Sequence, residues 1–159
     1  MKKVFALVLA AVMLMSVAAM ATDSVVAAPT VLSVDPDTVT ATVDASSEAV
    51  KTIASGIEEV GMEEAFGSVL ENAADYNCAA LVEVSLEGAE GAVVVSLSVP
   101  GVTADSEVVV MLGLFDGENV EWSEVEVVSV EDGVVTVSFT AEQVAAIAAG
   151  TAVIAILTK

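Results

Sequence analysis

The sequence predicts a mainly β domain of the α+β class: an N-terminal signal peptide, a short helical hairpin and then an antiparallel β-sandwich. Three observations carry this expectation. From residue 76 onward, valine-rich runs alternate apolar and polar residues with a period of two and are closed by Gly, Pro, Asn and Asp. Between residues 46 and 75 the apolar period lengthens to about 3.6, the repeat of an amphipathic helix. The first 21 residues combine a basic start, an apolar stretch and small closing residues.

In residues 1–21, Lys2 and Lys3 precede a wholly apolar run from Val4 to Met15, and Ala19-Met20-Ala21 forms an A-x-A cleavage site. Val26-Ala27-Ala28 is a second candidate site. The alternative is an uncleaved anchor, since Val4 to Ala21 reaches the lower length limit of a membrane-spanning helix. Cleavage implies a secreted, extracellular or cell-envelope protein. Residues 22–45 read as a linker with a candidate first strand, in which Val39, Ala41 and Val43 alternate with Thr38, Thr40 and Thr42 after the turn Asp35-Pro36-Asp37.

Residues 46–75 form the expected helical hairpin. Val50, Ile53, Ile57 and Val60 share one helical face, Ser46 or Ser47 is placed to cap the first turn, and Gly61 closes the helix. A second, shorter helix is expected over 62–74, with Phe66, Val69, Leu70 and Ala73 on its apolar side. Residues 76–159 then read as the sandwich. A hairpin turns at Gly88 to Gly91, and the run 107–115 is apolar on both faces, which places it centrally in a sheet. Asp116-Gly117-Glu118-Asn119 makes the next turn. The alternation over 120–130 slips near Glu124, the mark of a bulge, and Asp132-Gly133 is a two-residue hairpin turn. Ala141 to Ala149 forms a short helix before a last strand, Thr151 to Thr158, buried on both sides.

The same residues limit the chemistry. The chain contains no histidine and no arginine, so a Ser-His-Asp triad, a Cys-His pair and a histidine zinc site are excluded. Past Ala21 stand 24 acidic side chains against two lysines, Lys51 and Lys159, a net of −22. That field repels nucleic acid and anionic membrane surfaces. The glutamates at 83, 87, 121, 124 and 126 act as charged guards on valine-rich strands. The single cysteine, Cys78, cannot form an internal disulfide; burial as a small hydrophobe is the preferred reading, and a bridge between chains is the other.

No catalytic residue, cofactor or metal ligand is expected. A binding or structural role is, with an extracellular or envelope protein or glycan as partner, and the residues placed to carry it are Phe115, Asp116, Glu118, Asn119 and Trp122. An aromatic in an acidic loop can anchor an interface; for Trp122 the competing expectation is simple core packing. A divalent-cation module is the alternative function, motivated by Glu58-Glu59, Glu63-Glu64 and Glu131-Asp132, although adjacent residues diverge and make poor ligand pairs. Asp35, Asp37 and Asp44 lack the loop spacing of a calcium site. A carboxylate-pair hydrolase is a third class, with no candidate pair standing out.

The segments VEVSLEGAEGAVVVSLSVPGV, SEVVVMLGLFDGENVEW and VVSVEDGVVTVSF, followed by an apolar final strand, resemble small immunoglobulin-like β-sandwich modules of secreted and surface proteins from anaerobic Gram-positive bacteria. The resemblance spans about residues 80–159. Where such modules commonly carry a Ser-Pro step, Ala145 to Gly150 stands here. It implies an accessory or surface-display role and transfers no catalytic residue.

Overall fold

A computed structural model describes residues 29–159; the expected signal peptide and the cleavage sites at Ala21 and Ala28 lie outside the described residues. In chain order the elements are β1 (Thr30–Asp35), β2 (Thr40–Asp44), α1 (Glu48–Phe66), a 3₁₀ turn (Ala73–Asp75), β3 (Asn77–Glu87), β4 (Val93–Ser98), β5 (Val108–Phe115), β6 (Val120–Glu131), β7 (Val134–Phe139), α2 (Ala141–Ala149) and β8 (Thr151–Thr158). The chain is mainly β, as its period-two patterning requires.

All eight strands form one antiparallel sheet in the order β1-β4-β7-β6-β5-β8-β3-β2. The two outer strands are joined through a tight turn in which Val39 N–H donates to the Pro36 carbonyl oxygen at 3.1 Å, and the sheet is nearly closed. The strand β6 makes the wrap: its first half, Val120 to Val125, pairs with β5, and its second half, Glu126 to Glu131, pairs with β7. The slip expected near Glu124 falls at this handover, with a register shift between Val127 and Ser129. Both β1 and β2 belong to the sheet. The strand β1 escapes sequence reading because a bulge at Leu32 breaks its alternation and turns that leucine outward.

Two apolar layers result. The inner one joins Val82, Val95, Leu97, Val110, Leu112, Val137, Phe139, Ile154 and Ile156, with Val144 and Ile147 of α2 packed against it. The outer one lies beneath α1, whose Val50, Ile53, Ile57 and Phe66 cover Met111, Trp122, Val153, Ala155 and Leu157. Successive strand residues point to opposite faces, so β8 is buried from Ala152 to Leu157 because each of its faces meets a different layer. Fully burying one such leucine or isoleucine contributes about 1.5–3 kcal/mol, which is why the central strands tolerate so little polarity.

The helical region keeps the expected break at Gly61, but its second arm is shorter than expected. Ser47 caps α1 by accepting from Val50 N–H at 3.1 Å, while Ser46 donates instead to Asp44. Gly61 (φ 85°, ψ 166°) breaks the helical backbone, but the chain resumes the helix and stops at Phe66, well short of Ala74. Val69 and Leu70 N–H both donate to the Phe66 carbonyl oxygen in a closing turn, and Asn72 takes a left-handed conformation, φ 56°. Val60, expected on the covered face, is 40% exposed. It is the last residue before the break at Gly61.

Candidate functional site

The site is built around the β5–β6 hairpin. Asp116 Oδ1 accepts from the backbone N–H groups of Glu118 (3.0 Å) and Asn119 (2.7 Å), and Asp116 N–H donates to the Asn119 carbonyl oxygen at 3.1 Å. This is an Asx-type turn, and Gly117 supplies its left-handed backbone at φ 103°. The turn delivers Asn119 and Val120 to the start of β6. Trp122 follows, directly across from Gly113 of β5.

Gly113 makes room for the indole. A Cβ at that position would stand 2.6 Å from Trp122 Cζ3, 2.9 Å from Cε3 and 2.7 Å from Val120 Cγ2. Phe66, at the end of α1, meets the tryptophan with ring centroids 4.8 Å apart and planes tilted by 50°. Trp122 is 8% exposed. Among the described residues its Nε1 and the Oδ1 of Asn119 are buried without a hydrogen-bond partner, a rare condition for polar atoms inside a protein.

Beside them opens a cleft of about 730 Å³. Its walls are Ala65, Ser68 and Val69 around the end of α1, the hairpin residues Leu114 to Asp116 and Asn119 to Trp122, and Ala146 and Ala149 to Thr151 where α2 passes into β8. Four of the five residues expected from sequence, Phe115, Asp116, Asn119 and Trp122, are thus brought to one cavity. Glu118 does not line it; it is exposed and contributes its backbone to the turn. Trp122 is packed in the outer layer, in line with the core-packing expectation, and also lines the cleft. The helix-end residues were not legible as site residues, because small apolar side chains at helix termini carry no local functional signal.

Other chemistry-bearing groups lie apart. Cys78, expected to be buried, belongs to an exposed position. The register shift between Cys78 and Ala80 in the β3–β8 pairing turns it out of the core pattern. Its thiol folds back to donate to the Ala80 carbonyl oxygen at 3.4 Å, and local desolvation pushes its pKa up to about 11. Tyr76 donates its hydroxyl to Glu107 at 2.9 Å, and Lys159 reaches the same carboxylate at 3.9 Å while lying 5.5 Å from the tyrosine ring centre. The Glu107 hydrogen bond, with burial and neighbouring carboxylates behind it, raises the Tyr76 pKa above its ordinary value. Hydrogen bonds from the Ser46 hydroxyl and backbone N–H lower that of Asp44.

Among the described residues no three carboxylate or thiol side chains gather as a metal site, and Asp132 instead accepts from Ala104 N–H at 2.9 Å. Among the same residues no helix is long and apolar enough to cross a membrane. Compared with family models, curated proteins and solved structures, the chain finds no match.

Proposed function

We propose that the chain is a secreted or cell-envelope protein with a non-catalytic binding role, in which an immunoglobulin-like β-sandwich module presents the cleft beside Trp122 to an extracellular or envelope partner. The observation that carries this reading is the cleft itself. It is of ligand size, since binding pockets run to about 300–1,000 Å³, and its walls are largely apolar. Without histidine or arginine, its walls offer hydrogen bonds from hydroxyl, amide and carboxylate groups beside apolar contact. The export signal read in residues 1–21 supplies the location.

Two measurements test it. Fractionation of producing cells with intact mass of each fraction is expected to find the chain beginning at Thr22 in the medium or the wall; a chain retaining Lys2 and Lys3 in the membrane fraction overturns the secreted reading. Titration of the purified chain with wall polysaccharide and extracellular protein fractions is expected to change the emission of Trp122 saturably. The change should disappear in Ala149→Phe, which fills the cleft from an exposed position. An unaltered emission with both fractions overturns the binding role of the cleft.

A further inference from the structure

We propose that the outer face of β1, β4, β7 and the second half of β6 is a self-association surface. A second copy of the chain packs on it across a two-fold axis, so that Leu32 of each copy meets Val128 of the other.

The face follows from the strand register. Val95 and Leu97 of β4 and Val135 and Val137 of β7 belong to the core, so Ser96 and Thr136 between them point outward. Pairing lines up Ser33, Ser96, Thr136 and Ser129 in one uncharged row across the four strands, and the Ser96 and Thr136 hydroxyls are hydrogen-bonded at 2.9 Å. A register irregularity stands at each end of this row, between Val31 and Ser33 and between Val127 and Ser129. Each places an apolar residue outside: Leu32 and Val128 are both 55% exposed, the most exposed large hydrophobic side chains among the described residues. Of the described helices, α1 lies over β5, β8 and the first half of β6, and α2 packs on the inner layer, which leaves this face open.

Charge selects the occupant. Past Ala21 each copy carries a net −22, so a basic partner is drawn to carboxylates, and the centre of this face offers none. An acidic partner can approach only where opposing carboxylates are absent, and a second copy brings the same neutral centre. The row is also close to palindromic, with a Leu32-Ser33 bulge at one end, a Val128-Ser129 bulge at the other, and Ser96 and Thr136 between them. A two-fold axis running along the strands between β4 and β7 sets Leu32 opposite Val128 of the second copy and Ser96 opposite its Thr136, each contact being made twice. The neighbouring row ends in Asp35 and Glu126, which the same axis brings face to face at the rim. Salt relieves that repulsion, so the dimer should tighten as salt rises, the reverse of binding to a basic partner.

A face four strands wide is small beside the roughly 800 Å² per partner of a standard interface, so the dimer is weak and must be sought at high concentration. Sedimentation velocity of the purified chain, with Cys78 kept reduced, reads it at neutral pH up to about 1 mM as NaCl is raised from about 0.02 to 0.5 M. A reversible dimer is expected at high salt. Val128→Glu should weaken it roughly tenfold or more by burying a carboxylate without a partner. Adding Leu32→Lys to Val128→Glu should restore it, because the two positions lie about 14 Å apart within one copy, three strand spacings, and touch only across the axis. Thr42→Lys, at an exposed position on β2, gives the same net charge when added to Val128→Glu and should not restore the dimer. Thermal midpoints confirm that each variant is folded.

A chain that stays monomeric throughout overturns the proposal. So does a dimer that weakens with salt, one that Val128→Glu leaves intact, or equal rescue by the two lysine substitutions. Loss of wall-polysaccharide binding in a monomeric Val128→Glu chain would assign the face to a glycan and overturn it as well.

Discussion

Substituting Gly113→Ala tests the packing on which the whole site depends. The new methyl group would lie 2.6 Å from Trp122 Cζ3, 2.7 Å from Val120 Cγ2 and 2.9 Å from Trp122 Cε3, all closer than real Cβ atoms approach their neighbours. The contacting atoms are not free ends of flexible chains: the indole is backed by Phe66 and both neighbours are buried. Overpacking of this kind costs about 1–3 kcal/mol. Against it stands the smaller unfolded-state entropy of alanine, about 0.4–1 kcal/mol where the backbone allows it. The allowance applies, because Gly113 is in an ordinary strand conformation and not among the positive-φ glycines. A net loss of about 1–2 kcal/mol follows, a fall in melting temperature on the order of 3–8 °C for a domain of this size. Circular dichroism reads the midpoint and fluorescence reads displacement of the indole. In a Trp122→Leu background the cost of Gly113→Ala should shrink toward what Val120 alone imposes, giving a measurable coupling energy. An unchanged or raised midpoint, with unaltered emission, would refute the account of Gly113 as the space reserved for the ring.

Three other outcomes are expected. Thr140 caps α2 through a reciprocal pair, accepting from Gln143 N–H at 3.2 Å and donating its backbone N–H to Gln143 Oε1 at 3.0 Å, so Thr140→Ala should cost about 0.5–2 kcal/mol in urea unfolding. Tyr76→Phe should lower stability by about 0.5–1 kcal/mol at pH 8, the value of a partly exposed hydrogen bond. Because the folded state raises the tyrosine pKa, that advantage is complete below the ordinary value of 10.0 and is lost as pH rises through the folded value, so the gap between wild type and variant should close in alkaline urea titrations; a gap independent of pH would contradict the Glu107 contact. With its thiol pushed up from 9.0 to about 11, Cys78 should react with iodoacetamide at pH 8 roughly tenfold more slowly in the folded chain than in urea, the lost thiolate fraction being partly offset by the greater nucleophilicity of a more basic thiolate; equal rates would show that the thiol is not desolvated.

Much of the strand inventory can be read in the chain because a half-buried strand must alternate, and β4 and β7 do so strictly. Doubly apolar β5 and β8 announce burial on both faces, though not by what. The outer cover proves to be α1, and its second arm ends at Phe66, after which Val69 and Leu70 N–H close on the Phe66 carbonyl oxygen and the left-handed Asn72 turns the chain before the apolar pattern runs out. Cys78 illustrates the opposite error: its neighbours Ala79 to Leu81 look like core, yet one extra residue in the β3–β8 ladder changes which way it faces. The candidate site was half legible. The acidic turn with an aromatic on either side marked Phe115 through Trp122, while Ala65, Ser68, Val69 and Ala149 carry no such mark.

By itself the sequence determined the chemical limits and the local structure: no imidazole or guanidinium anywhere, a strong negative charge past Ala21, period-two strands and the turns between them. These depend on residue identity and on neighbours a few positions away, where sterics and backbone hydrogen bonding act directly. Tertiary structure alone decided the strand order, the wrap of β6 from one pairing partner to the other, the placement of α1 over β5, β6 and β8, and the meeting of residues 65–69, 114–122 and 146–151 around one cleft. Burial of apolar area is non-directional, so many arrangements satisfy the same pattern locally. Which of them is realised depends on side chains far apart in sequence fitting together, as the indole of Trp122 does in the space that Gly113 leaves.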